Sequence, residues 1–366
     1  MSQGAAETLL SRWLPPARMR LVFAAAGALL VFNLVVAAFG HGPAETLSRA
    51  FAGTWGTAYG TGQVLFKATP LLLTGLAFHV ALRGGLFNIG TEGQLALGAL
   101  VAGWLGPKLG GLPWPVALPL VIGAAITVAA AYSAIAGVMR ARLGVHEIIS
   151  CIMLNRCVDV FLPWVLVAGL GATSLRTDDL GPGARLPGLE TWIPALSGSA
   201  VSVAFPLAVL ITFGAYAWLE RSRAGREMRW VGLGAAACEA QGIDVRKRQV
   251  QAMVLSGALA GLVCTGTVLG YKGYYELGLG AGAGFSGIAV AMVGRSGPLA
   301  LVASALVFGT LAQAGLTINA QVPKEAMNVL EAVVILLVAA ASGVADKGRA
   351  AVAVPDERDD ASEEAA

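Results

Sequence analysis

Ten apolar runs recur along this 366-residue chain, each of about the length that crosses a bilayer. About 20 residues rising about 1.5 Å apiece cover the roughly 30 Å of hydrocarbon, and backbone there must satisfy itself, so the runs are restricted to helices. They span residues 20–40, 62–82, 86–106, 115–139, 145–170, 201–219, 250–271, 278–294, 297–315 and 326–344. Charged residues make up 13% of the chain and hydrophobic ones 56%, with mean hydropathy +0.71. A soluble domain carries about 25% charged residues. The expected fold is therefore all-α, a polytopic membrane protein with about ten transmembrane helices. The 48 glycines sit mainly inside the apolar runs, where small residues allow close helix approach. Runs 86–106 and 278–294 are Gly-rich and read as spans that are broken or re-entrant. The first run is too long for a cleavable signal and lacks a small-residue cleavage site.

Charge orients the spans. With the N-terminus inside, ten spans return the C-terminus inside, and 17 of the 25 Lys and Arg residues fall on the inner side. This N-in, C-in arrangement divides the chain into a cytoplasmic segment 1–19, a transmembrane domain 20–345 and a cytoplasmic acidic tail 346–366. Residues 171–200, rich in Gly, Pro, Ser and Asp, form the expected external loop. Residues 220–249, polar and cationic, form the expected cytoplasmic loop. The stretch 355–366 has the composition of a disordered tail.

Several chemistries are excluded. The net charge of +3 is too small to point to a nucleic-acid partner. Cys151, Cys157, Cys238 and Cys264 contain no CxxC pair, so neither a disulfide nor a metal site is expected. There is no GxxxxGK[ST] phosphate loop, no HExxH and no GxSxG. His41, His79 and His146 are scattered. The chain reads as neither an ATPase nor an intramembrane enzyme, with no cofactor of its own.

Three constellations remain. The first is Gly85-Leu86-Phe87-Asn88-Ile89-Gly90-Thr91-Glu92-Gly93-Gln94, a polar run between two apolar segments. Polar groups at membrane depth mark a pathway or lock helices together, and for Asn88, Thr91, Glu92 and Gln94 both readings stand. The second runs from Glu147 to Asp159. Asn155 and Asp159 share a helix face, Arg156 and Asp159 are spaced to neutralise each other, and all three are expected to face the bundle. Glu147 is expected near the cytoplasmic end, at the interface. The third is the loop from Ser222 through Arg226, Arg229 and Gly232 to Asp244, where Ala235–Ala240 predicts a short helix ended by Gly242. Hinged by glycines, this segment suits docking on a soluble partner. Gly257-x-x-x-Gly261 and Gly266-x-x-x-Gly270 predict close helix packing.

These pieces resemble the permease subunits of bacterial ABC importers for nucleosides and simple sugars, a group that also includes branched-chain amino acid and ribose permeases. The run 85–94 is similar to a GLFNIG-x-EGQ motif. Glu147-Ile148-Ile149-Ser150 with Met153-Leu154-Asn155 is similar to an E-[IV]-[IV]-S…M-L-N helix. Gly284-Phe285-Ser286-Gly287-Ile288-Ala289-Val290-Ala291 with Gly294-Arg295 is similar to a GF-x-GIAVA…GR pattern. The resemblance covers residues 60–345. It departs at Arg156 and Asp159, where relatives carry apolar or aromatic residues, and at Gly234–Cys238, which replaces an Asn-Pro.

The resemblance implies alternating access in a bacterial inner membrane, with a substrate path touching Asn88, Thr91, Glu92, Gln94, Asn155, Phe285 and Ser286. It implies a coupling loop in which Ser222, Gly225, Arg226, Arg229, Gly232, Glu239, Gly242 and Asp244 meet the motor. The implied partners are ABC ATPase subunits carrying ATP and Mg, a second homologous permease, an extracytoplasmic substrate-binding lipoprotein, a small-molecule substrate and membrane lipid. Nucleosides fit a path of Asn, Gln and Thr, and simple sugars such as ribose or galactose fit nearly as well. A proton-coupled secondary transporter using Glu92, and a non-transporting scaffold, are the readings from other classes.

Overall fold

The computed structural model describes residues 16–323 apart from 173, and beyond them 326, 327, 329, 332 and 333. Helices dominate these residues, and extended pairing among them is limited to two isolated bridges, Arg176 with Glu276 and Gly188 with Ser202. The first helix, α1 (Pro16–Ala38), is followed by α2 (Pro43–Ala52), and the two bend by 111° between Leu29–Ala38 and Pro43–Ala52.

Arg49–Thr317 forms one unit. Its axis is α3 (Ala58–Arg83), in which every residue from Leu71 to Ala81 is buried. A helix apolar all round must sit inside a bundle, and this one does. After an irregular segment, 84–90, come α4 (Thr91–Leu109), α5 (Trp114–Leu143) and α6 (Glu147–Trp164), the last continued by a π-helical turn Val165–Gly169. A stretch of short 3-10 turns leads to α7 (Ala204–Arg221). Then come α8 (Arg223–Leu233), α9 (Ala235–Ala240) and α10 (Val245–Gly261), which continues as a π-helix Thr265–Lys272. A second irregular segment, 273–282, precedes α11 (Ala283–Val293) and α12 (Pro298–Thr317).

Among the described residues, five helices are long and apolar enough to cross a membrane, or six if the bent α1–α2 pair is one span. The two Gly-rich runs are broken, as their composition predicts. Run 86–106 begins as a helix only at Thr91, after the turn that Gly84 and Gly85 open and Gly90 closes. Run 278–294 yields only the 11 residues of α11, about 16 Å at 1.5 Å each, too short to cross alone. Run 326–344 lies almost wholly outside the described residues. The segment 220–249 is helical nearly throughout, and Arg246, Lys247 and Arg248 belong to the first turn of α10.

The predicted small-residue faces are real contacts. A Cβ on Gly261 would lie 2.8 Å from the Ala129 Cβ and 2.9 Å from the Ala125 oxygen, and Gly257 presses on Ala129, Ala130 and Ser133. Helix α10 thus packs backbone to backbone on α5. Ser133 Oγ donates to the Met253 oxygen at 2.7 Å across the same seam.

Residues expected on one side of the membrane also meet one another. Arg83 and Gly85 touch Gly232, and Arg140 meets Glu147 at 3.4 Å. At the other end, Gly183 N–H donates to the Gly110 oxygen at 3.0 Å, and Thr177 N–H to the Tyr275 oxygen at 2.8 Å. The expected external loop 171–200 is therefore hydrogen-bonded to the second irregular segment.

Candidate functional site

In segment 84–90 the amides of Gly84, Gly85 and Leu86 still reach carbonyls of the last turn of α3, and side chains meet the amides of Phe87 and Gly90 and the carbonyl of Ile89. Asn88 is fully buried. Its Nδ2 donates to Ser256 Oγ at 2.7 Å and to Gln94 Oε1 at 2.9 Å, while its Oδ1 accepts from Gly90 N–H at 3.0 Å and from Gln94 Nε2 at 3.1 Å. Ser256 passes the chain on, donating to the Ala77 oxygen at 2.7 Å. Asn155, on α6, accepts from Gly93 N–H and donates to the Ile89 oxygen, both at 3.1 Å. Glu147 accepts from Phe87 N–H at 3.3 Å. Three helices, α3, α6 and α10, are thus tied to one interruption.

The two interrupted segments then meet. Glu92 lies in the first turn of α4, and its two oxygens accept from Gly282 N–H at 2.6 Å and Gly284 N–H at 2.8 Å. A carboxylate on the orphan amides of a helix start is favoured by both hydrogen bonding and the helix dipole. Thr91 Oγ1 donates to the Gly284 oxygen at 3.2 Å, and Thr74 Oγ1 to the Ala283 oxygen at 2.8 Å. Helix α11 is therefore held at its start by α3 and α4.

Of the expected path residues, Asn88, Thr91, Gln94 and Asn155 are buried braces, Glu92 and Ser286 are half-buried, and Phe285 is exposed. The structure brings Glu92 and Phe285 together, since Glu92 caps the turn that carries Phe285. Arg156 and Asp159 correct their expectation. They form the local ion pair at 3.2 Å, but their side chains are 78% and 59% exposed, so they do not face the interior of this chain. A pair that neutralises itself within one turn needs no partner from the bundle. Glu147 corrects in the opposite direction. It is buried rather than interfacial, because the Phe87 amide needs an acceptor and Arg140 balances the charge. Sequence reasoning missed Ser256, Thr74 and Ser133. Their only signal was a hydroxyl among small residues in an apolar run.

Ser222 starts α8 by accepting from Gly225 N–H at 2.9 Å. Glu227 lies between two guanidinium groups, Arg223 Nε at 2.7 Å and Arg248 Nε at 2.8 Å, which hold its carboxyl below the usual carboxylate range. Gly232 has no room for a side chain. A Cβ there would land on the Arg83 carbonyl and lie 2.9 Å from Gly85 N, and Gly85 itself is left-handed at φ 75°. So α8 rests directly on the start of the first interruption. Helix α9 forms as expected, with Cys238 buried against Val231 and Val245, and Gly242 at φ 79° turns the chain into the Asp244 cap of α10. Arg226 and Glu239 are exposed and Arg229 is half-buried.

A bundle of apolar helices interrupted twice, braced by buried amides and carrying a helical arm at one end, is the build of a membrane permease. The family of the branched-chain amino acid transport system permease component matches residues 60–339, and the chain belongs to it. The guanosine ABC transporter permease protein NupP of Bacillus subtilis is 32% identical over 92% of this chain and 95% of its own length. The nucleoside ABC transporter permease protein NupB of Lactococcus lactis is 30% identical over 85% and 87%. The glucose ABC transporter permease protein TsgB13 of Haloferax volcanii is 30% identical over 84% and 83%. No solved structure matches. The chain is a multi-pass membrane protein and a transport component rather than an enzyme.

Proposed function

We propose that this chain is the permease subunit of an ATP-driven importer that moves nucleosides across a bacterial inner membrane by alternating access. The observation that carries the reading is near-full-length similarity to two permeases named for guanosine and nucleosides. In this reading α8 and α9 receive force from a separate ATPase subunit that holds ATP and Mg. A second permease of the same kind and an extracytoplasmic binding lipoprotein complete the machine, and the chain runs N-in and C-in. The backbone contact of Gly232 with Gly85 supports the coupling role, because it leaves no compliant side chain between the arm and the interruption.

A cavity of about 1060 Å³ opens beside Trp104, Phe161, Thr177 and Asp178, toward the expected external end. Aromatic faces suit a base, and hydroxyl and carboxylate groups suit ribose hydroxyls. The glucose relative, matched nearly as far as NupB, supports a sugar importer as the second reading. Glu92 is committed to two backbone amides, which speaks against its carrying a proton through each cycle.

Uptake by cells expressing the intact transporter separates these readings. Labelled guanosine, adenosine and uridine should enter, with ribose, galactose and glucose failing to compete. Competition by a sugar at equal concentration would transfer the assignment to sugars. Glu92→Gln should keep ATP dependence and show no response to an uncoupler at constant ATP; an uncoupler-sensitive wild type would support the proton-coupled reading. In a Cys157→Ser background, Ser197→Cys should label from outside and Gln241→Cys only after permeabilisation, and the reverse pattern would overturn the topology.

A further inference from the structure

The paired helices α5 and α10 end their close contact at Gly137, where a Cβ would lie 2.9 Å from the Met253 Cβ and 3.4 Å from the Val250 Cα. One turn further, the same two helices border a groove of about 670 Å³. Val138 and Val250 supply apolar wall, and Arg142, Arg246, Lys247 and Asp244 supply charge. The position matters: Arg142 lies in the last turn of α5, and Arg246 and Lys247 in the first turn of α10. Both helices pass the length and apolarity needed to cross a membrane, so the groove lies where hydrocarbon gives way to water.

The charges in the groove are not balanced by the protein. Arg140, just before it, is paired with Glu147, and Arg248, just after it, with Glu227. Arg142, Arg246 and Lys247 form no ion pair among the described residues, and all three are exposed. Asp244 is already used, its carboxylate capping α10 by accepting from Lys247 N–H at 2.9 Å. Three free cations therefore share one groove with an apolar wall and a single, engaged carboxylate. A soluble protein would leave such cations to water. At a membrane boundary, basic groups between helices attract anionic headgroups, and long basic side chains keep their charge at headgroup level.

We propose that this groove binds one anionic phospholipid. Its phosphate sits among Arg142, Arg246 and Lys247, and the first part of an acyl chain lies along Val138 and Val250. The apolar wall is what favours a lipid over a soluble anion, which would gain nothing from it. The bound lipid clasps the ends of α5 and α10 at the point where the chain leaves α9. The inference rests on the chain being embedded in a membrane and is independent of what it transports.

The test uses full-length protein in mild detergent, with native mass spectrometry and thermal unfolding against phosphatidylglycerol, phosphatidylcholine or inorganic phosphate. Wild type should retain phosphatidylglycerol and unfold later in its presence, with little effect of the other two. Each cation removed should weaken binding about fivefold, so R142Q/R246Q/K247Q should lose on the order of a hundredfold. The charge-keeping R142K/R246K/K247R should bind within a few fold of wild type. K108Q/R176Q/R185Q, with equal charge lost at the opposite end, should bind as wild type. The lipid-free unfolding midpoint checks that each variant is folded. Three results would overturn the proposal: equal loss in the opposite-end variant, unchanged binding in the groove variant, or protection by inorganic phosphate matching that of phosphatidylglycerol.

Discussion

The two interruptions of this bundle solve the same physical problem with different chemistry. Segment 84–90 leaves helical geometry while largely buried; Asn88, Glu147 and Asn155 meet its free amides and carbonyl, and Gln94 and Ser256 hold Asn88. Segment 273–282 uses left-handed glycines, Gly273, Gly278, Gly280 and Gly282, at φ 75°, 85°, 83° and 88°. It borrows its acceptors, from Glu92 at one end and from the external loop at the other, where Leu277 N–H donates to the Leu175 oxygen at 2.9 Å. The first interruption is a lock whose partners come from three helices. The second is a turn that α4 and the external loop hold in place. A moving permease needs both kinds of element, since one part must stay while another shifts. The expectation is that the polar segment stays fixed and the glycine segment shifts during transport.

Gly232→Leu should break the comparison most severely. It inserts a side chain between α8 and the Arg83–Gly85 backbone, where overpacking costs about 3 kcal/mol or more. Uptake should be lost and the unfolding midpoint should drop, with the protein still inserted in the membrane. Wild-type uptake in this variant would show that the arm does not act through the first interruption.

Asn88→Leu should cost about 2–4 kcal/mol, because Gln94 and the Gly90 amide are left buried without partners. Thermal unfolding of the purified protein measures this directly. A shift no larger than that of an exposed control such as Ser197→Ala would remove the idea of a polar lock.

The second interruption should respond differently. Gly282→Ala meets open space but a left-handed backbone, so it costs about 1–2 kcal/mol of strain and no packing. Transport rate should fall further than stability, as expected for a movable turn. Equal losses at Gly282 and Asn88 would erase the distinction between the two segments.

The smallest effect concerns the arm. Arg223 and Arg248 hold the Glu227 carboxyl below its usual range, so the ionised form is favoured in the folded protein. A depressed carboxylate contributes stability above its unfolded value, and that contribution is lost as pH falls through the folded value. Opening of 223–244, taken from hydrogen exchange corrected for the intrinsic rate at each pH, should therefore be level from pH 7 down to pH 5 and rise only below the ordinary carboxylate range. In Glu227→Gln this acid-induced rise should disappear. A rise already complete by pH 6 in wild type would assign the dependence to another group.

Much of this was legible from residue order. The helical membrane class, the Gly257–Gly261 seam, the short Ala235–Ala240 helix and the Gly242 turn each depend on periodicity or backbone freedom within a few residues. So did the special character of the run from Gly85 to Gln94, because polar side chains in an apolar context are conspicuous in one dimension.

What residue order could not settle was the partner of each polar group. Asn88 was open to pathway or lock, and only the position of Ser256, 168 residues away, supplies the cross-helix partner that a lock requires. Glu92 read as a candidate proton carrier until Gly282 and Gly284 were found on its two oxygens. The same limit explains Glu147, whose burial follows from an amide 60 residues earlier, and Arg156, whose outward direction follows from which faces of α6 are occupied. The apolar lengths of this chain determine that it enters a membrane as helices, since solvation acts on each segment by itself. Which partner each interruption finds is a matter of long-range hydrogen bonding, and that exists only once the helices have packed.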